Sequence, residues 1–190
     1  MATQPSVAFI VDQQFEDAEF RVPSDRLKAA GYRVVLVGRE AGAKLKGKKG
    51  RETITTEKSI RDVAVDDFAA LVIPGGYSPD LLRQDPRMVG FTRDFLASGK
   101  PVAAVCHAGW MLAEADVLEG RTVTSWPSIK TDLVNAGARW VDREVVEDGN
   151  LITSRKPDDL AAFSEAILRQ LQGSIPQRPS SAPQPRPHLH

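Results

Sequence analysis

The chain has 190 residues, 42% apolar and 26% charged, with 25 basic side chains against 25 acidic ones. That length makes about one domain able to bury its own core, and the zero net charge excludes a global field drawing it to nucleic acid or a membrane surface. A single cysteine excludes a disulfide-framed secreted fold, no apolar run approaches the ~18 residues of a membrane span, and Met1 to Ser6 lacks the features of a signal peptide, so a soluble, cytoplasmic protein is expected.

In chain order, Val7 to Val11 is a short apolar run that reads as a buried strand. Glu16 to Ala30 follows as a helix, with Ala18, Val22 and Leu27 as its apolar positions and Gly31 as its stop. Pro23 inside it predicts a kink or an irregular first turn. Arg33 to Val37 is a second strand, and Lys44 to Thr55, rich in Lys, Gly and Thr, is a hairpin excursion. Ala69 to Ile73 is a third buried strand, ended by Pro74-Gly75-Gly76. Asp85 caps a helix that has Pro86 at its first position and stops at Gly99. Pro101 to Val105 is a fourth strand running straight into Cys106, and Ala108 to Ala115 reads as helix. Short strands near Thr122–Thr124, Trp140–Val141, Val145–Val146 and Leu151–Thr153 surround a helix at Ile129–Ala136, and a last helix spans about Asp158 to Leu171.

The folded unit is therefore expected over residues 1–172. Residues 173–190 hold five prolines and few apolar side chains, and they read as a polyproline II-like tail lying on a surface. Alternating strands and helices with near-continuous apolar strands imply an α/β fold, its mostly parallel sheet covered on both faces. Ligand sites in such folds lie beyond the carboxyl ends of the strands. Three loops converge there: Asp12–Glu16, Pro74–Asp80 and Cys106–Gly109.

Cys106 sits between an apolar strand and a helix. A strand-to-helix elbow presents a side chain at a helix N-terminus, where a thiolate is favoured and its pKa is lowered. An inert buried cysteine is the default for the residue type, and the elbow position favours the reactive reading. Glu16, at the neighbouring strand end, either hydrogen-bonds that sulfur or is an ordinary acidic residue at a helix start. His107 adjoins the cysteine, although neighbours on a tight elbow usually point apart. The other two histidines, His188 and His190, lie in the tail, so a thiol–imidazole mechanism has His107 as its base in the body or has no histidine base there. Gly75 and Gly76 are either oxyanion-binding backbone or simply a tight turn. Trp126 lines a pocket or packs in the core. The basic run Lys44 to Arg51 touches phosphate or is a solvated hairpin, the second being the commoner use. No metal-ligand spacing and no cofactor motif is present.

Several stretches together resemble the PfpI (intracellular protease I) branch of the DJ-1/PfpI superfamily, which has a class I glutamine amidotransferase-like fold. They are FEDAEF at Phe15–Phe20, LVIPGGYSPD at Leu71–Asp80, the segment from Pro101 to Asp142, and Val145 to Leu160. The resemblance covers about residues 6–172. It implies a three-layer flavodoxin-like sandwich with a nucleophile elbow at Cys106 and a protonated carboxyl partner at Glu16. It also implies a homo-oligomer, a dimer first and a hexamer as the alternative, with an acidic residue from a neighbouring subunit completing a peptidase triad. That residue is usually Glu in the family and is Asp80 here. Ala108 replaces the usual Gly, and Trp126 replaces a smaller aromatic side chain. The expected function is that of a stress-response protein with an oxidation-prone cysteine, acting as a thiol hydrolase of peptidase or deglycase type. A non-enzymatic redox sensor or a redox-linked chaperone is the alternative. No cofactor, metal, nucleic acid or membrane is expected.

Overall fold

Val7, Ala8, Phe9 and Ile10 are all fully buried, which explains why their strand, β1 (Ser6–Ile10), shows no polar alternation. Successive side chains leave opposite faces of the strand. Ala8 and Ile10 join one hydrophobic core, and Val7 and Phe9 join another. The structure is a computed structural model and describes residues 4–178. After β1 come α1 (Asp17–Ala29), β2 (Arg33–Gly38), β3 (Lys44–Lys46), β4 (Thr53–Thr55), β5 (Lys58–Ser59) and β6 (Ala70–Ile73). These are followed by α2 (Ser78–Leu82), α3 (Pro86–Ala97), β7 (Val102–Val105), α4 (Gly109–Glu114), β8 (Thr122–Val123) and α5 (Lys130–Asn135). The chain continues with β9 (Arg139–Trp140), β10 (Val145–Asp148), β11 (Leu151–Ser154) and α6 (Leu160–Leu171).

Seven strands form one sheet in the order β10-β11-β7-β6-β1-β2-β5. Every pair in it is parallel except β10 with β11. Side chains of α3, α4 and α5, including Met88, Phe95, Met111 and Leu133, fill the core on one face. Phe20 and Leu27 of α1 and Phe163 and Ile167 of α6 fill the core on the other. The mostly parallel sheet covered on both faces, expected from the alternation, is thus observed, and it forms the three-layer α/β sandwich that the resemblance implies.

The β3–β4 excursion is an antiparallel hairpin, with Lys44 opposite Thr55. Helix α1 runs through the buried Pro23 to Ala29. Two elements have no counterpart in the sequence reading. Strand β5 is only two residues long, and α2 is a five-residue helix opened by Ser78 and Pro79, residues that also suit a loop. Of the expected tail, residues 173–178 carry no helix or strand, and Arg178 donates to the buried Asp148 carboxylate (2.8 Å) and to Gly120 O (3.0 Å). The remainder lies outside the described residues. Among the described residues, no helix is long and apolar enough to cross a membrane.

The cap on α3 is as expected. The Asp85 carboxylate accepts the Arg87 N–H (3.0 Å) and also holds the Arg87 guanidinium through two bonds of 3.0 and 2.9 Å. Losing such a cap costs about 1 kcal/mol. Asp85→Ala is therefore expected to lower the melting temperature by roughly 2–4 °C, measurable by calorimetry.

Candidate active site

The loops after β1 and β6 are stitched together beyond the sheet. The Asp12 N–H donates to Ser78 Oγ (2.8 Å), the Glu16 N–H to Gly75 O (3.1 Å), and the Tyr77 N–H to Gln14 O (2.9 Å). Phe15 and Gly76 form an isolated antiparallel bridge. Gly76 has φ +79°, and a Cβ there would lie 2.5 Å from Gln14 O, so only glycine fits. The loop after β7 meets this pair from the next strand over.

Cys106 begins that loop at φ +61°, a left-handed backbone that a non-glycine residue rarely adopts. Strain of this kind at the end of a parallel strand is how an elbow holds a reactive side chain. The Sγ atom lies 3.2 Å from His107 Nδ1, so the imidazole reaches the sulfur despite being its chain neighbour. The N–H groups of His107 and Gly76 also point to the thiol. Two indoles flank the imidazole: Trp110 is edge-on at 5.2 Å and Trp126 near-parallel at 6.4 Å, while Ser128 Oγ is 3.4 Å from Nε2. Burial and the positive charge of Lys48 hold His107 below its ordinary value, so the ring is neutral at pH 7.

The carboxyl beside the thiol is that of Glu19, and the expectation for Glu16 is corrected. Glu16 is buried, but its two oxygens are taken by Lys48 Nζ (2.8 Å) and Lys49 Nζ (3.0 Å). Glu19 sits three residues on, on the inward face of α1 with Phe20, Pro23 and Leu27. Its Oε1 accepts the Gly75 N–H (2.9 Å), and its buried Oε2 has no hydrogen-bond partner. Burial pushes Glu19 up to about 8, helped by the charge of Glu16 and opposed by the Gly75 N–H. It is therefore mainly protonated at neutral pH.

The expected lowering of the thiol pKa is likewise reversed. Burial, followed by the charge of Glu19, pushes Cys106 up to about 12, and the N–H groups of His107 and Gly76 and the Lys48 ammonium oppose the rise. The helix that was to favour the thiolate starts only at Gly109, after a 3₁₀ turn, and has six residues. Its end charge is both displaced and small. When Glu19 holds its proton, the second cause of the rise is withdrawn.

The remaining residues are distributed as follows. The N–H of Gly75 is engaged by Glu19 and is unavailable to an oxyanion, which corrects that assignment. Gly75 matters for space instead: a Cβ would fall 2.5 Å from Glu19 Oε1 and 2.8 Å from Cys106 Cβ. Gly75→Ala is expected to cost about 1–3 kcal/mol through overpacking and to slow alkylation of Cys106, both read on the same purified variant. Asp80 is exposed on α2, and the charge of Lys48 acts on His107. Trp126 is 38% exposed over the imidazole. Ala108 is fully buried in the core with Met111 and Leu112. Among the described residues, no group of three or more His, Cys, Asp or Glu side chains is arranged to hold a metal ion.

Comparison with known proteins agrees with this architecture. The family model described as "DJ-1/PfpI family" matches residues 5–170. "Protein/nucleic acid deglycase 2" of Escherichia coli is 49% identical over 166 residues, covering 87% of this chain and 96% of that protein. "General stress protein 18" of Bacillus subtilis is 44% identical over 167 residues, covering 87% and 97% respectively. Among solved structures, a two-domain protein of Anabaena variabilis with DJ-1/ThiJ/PfpI-like and ferritin-like domains superposes with a TM-score of 0.88 at 43% identity. That match takes in 91% of this chain and spans half of the two-domain protein.

Proposed function

The chain belongs to the DJ-1/PfpI family, and from that premise we propose that it is a stress-response protein whose Cys106 acts as a nucleophile on an aldehyde-derived carbon bound to nitrogen. The substrate class is an amine carrying an aldehyde-derived group, the reading that the deglycase relative supports. The observation carrying the proposal is the strained Cys106 with its sulfur 3.2 Å from a neutral imidazole and faced by two backbone N–H groups.

The geometry supports the following roles. The thiol rests protonated, and the neutral His107 takes its proton as sulfur attacks the carbon that carries the nitrogen. The N–H groups of Gly76 and His107 receive the negative charge that develops. His107 then returns the proton to the departing nitrogen, the carbon–nitrogen bond breaks to leave a hemithioacetal on Cys106, and this hemithioacetal loses its hydroxyl proton and collapses to the free thiol and an aldehyde. Glu19 keeps its proton at neutral pH and so adds no second anion beside the sulfur.

One observation favours a second reading, that of a redox sensor. The Glu19 carboxyl is buried and meets the Cys106 side chain, which supports a proton shared with an oxygen added to sulfur. Peroxide would convert the thiol to a sulfenic and then a sulfinic acid, releasing water at each step. With one cysteine in the chain, no intramolecular disulfide intercepts the first product.

One experiment separates the two. A peptide amine modified with methylglyoxal is incubated with the protein and free amine is followed, while a parallel sample takes peroxide and is weighed intact. Release of amine in proportion to protein supports the hydrolase. No release, with one and two oxygens added at Cys106, supports the sensor. Met88 and Met111 are fully buried, and mapping the added oxygens to the peptide that carries Cys106 separates them from any on Met1. A thiol inert to both overturns the proposal.

A further inference from the structure

The tip of the β3–β4 hairpin folds back over the start of α1, and little about it is free to move. The Asp17 carboxylate accepts the N–H groups of Lys49 (2.9 Å), Arg51 (2.9 Å) and Glu52 (2.8 Å). The Lys48 N–H donates to Phe15 O, and the Gln14 N–H to Lys46 O, each at 2.9 Å. A Cβ at Gly47 would overlap the Asp17 carboxylate, so the turn is built around that acid. The basic run that reads in sequence as a solvated hairpin is thus anchored beside the thiol.

Two of its ammonium groups, those of Lys48 and Lys49, converge on the single carboxylate of Glu16. Their two positive charges meet one negative charge there. The charge of Lys48 also reaches Cys106, Glu19 and His107. At neutral pH the thiol, the protonated Glu19 and the neutral imidazole do not balance the excess. Lys48 lies 5.9 Å from the ring centroid of Tyr77, which is 62% exposed. On the outer side, Lys46, Lys48, Lys49, Gln13, Gln14 and Tyr77 line an open cavity of about 860 Å³ with no carboxylate among its walls.

We infer that Lys48, positioned by Glu16 and backed by Lys49, selects substrates that carry an anionic group, a carboxylate or a phosphate, close to the carbon that Cys106 attacks. This deepens the proposed function and rests on its reactive thiol. Glu16, which sequence places at the sulfur, is on this view a positioning residue for the cation that meets the substrate.

The test compares two alkylating reagents with the same leaving group, iodoacetate and iodoacetamide. Both read the same thiolate, so the ratio of their rates cancels any change in thiol ionisation. In the wild type the iodoacetate to iodoacetamide ratio is expected to exceed that of free cysteine at the same pH by about tenfold, the effect of one nearby charge, and to shrink at high salt. Lys48→Met is expected to return the ratio to the free-cysteine value, Lys49→Met to lower it less, and Lys48→Arg to keep it. Inorganic phosphate, added as a protectant against iodoacetamide, reads the phosphate case, and protection lost in Lys48→Met supports it. Labelling by both reagents at the free-cysteine ratio, unmoved by Lys48→Met and without phosphate protection, overturns the selectivity and leaves the reactive thiol standing. If neither reagent labels Cys106, the proposed function fails and the inference falls with it.

Discussion

Cys106→Ala is expected to abolish amine release, alkylation and oxygen uptake together, with turnover falling on the order of 10³-fold or more. The chain has no other thiol to take over, and His107 without its sulfur has no proton to move. The same substitution should barely disturb folding. Alanine is as strained as cysteine at φ +61°, and the deleted group is one sulfur atom in a residue already 7% exposed. A melting temperature within roughly 4 °C of the wild type, about 1 kcal/mol for a chain of this size, together with complete loss of turnover, separates a chemical role from a structural one. Turnover that survives would move the chemistry away from the elbow.

Glu19→Gln is expected to change both the titration of the thiol and the pH dependence of stability. Folding raises this carboxyl from an ordinary value near 4.5 to about 8, chiefly by burial. The native state therefore keeps a proton that the unfolded chain releases between those values. Stability is fully expressed below the unfolded pKa and is lost as pH rises through the folded one. The wild type should lose on the order of 3–5 kcal/mol between pH 4.5 and 8.5 from this group, seen as a falling urea midpoint. Gln has the same shape and no titration, so the slope across that window should flatten. Removing the Glu19 charge also removes the second cause of the raised thiol value, so alkylation should set in at lower pH than in the wild type. Equal slopes in the two proteins would show that Glu19 is not the buried acid described here.

Much of the framework is legible in sequence because β1, β2, β6 and β7 are buried on both faces and therefore read as unbroken apolar runs. Elements without such burial, the two-residue β5 and the five-residue α2, carry too little pattern to be seen. The elbow at Cys106 is legible because an apolar strand runs directly into it, whereas the turn of His107 back to the sulfur is not, since chain neighbours on a tight turn usually point apart. Glu19 was within reach. It lies four residues before Pro23 and eight before Leu27, and so shares the inward face of α1. Glu16 is singled out in sequence by its nearness to the strand end, whereas the face that meets the thiol is the one set by Phe20, Pro23 and Leu27. The place of Lys48 depends on a hairpin folding back across α1, a contact between distant segments that no local spacing announces. The direction of the thiol shift depends on burial, which belongs to the assembled fold.

The margins of the sheet bear on how such a protein behaves in a stressed cell, where unfolding neighbours offer loose strands for pairing. An exposed strand edge is a template for that growth. Here one margin is β5, two residues long with an exposed lysine. The other is β10, four residues closing on Glu147 and Asp148, the latter bound by Arg178 and by the Thr122 N–H. Margins this short and charged give an invading strand little to extend.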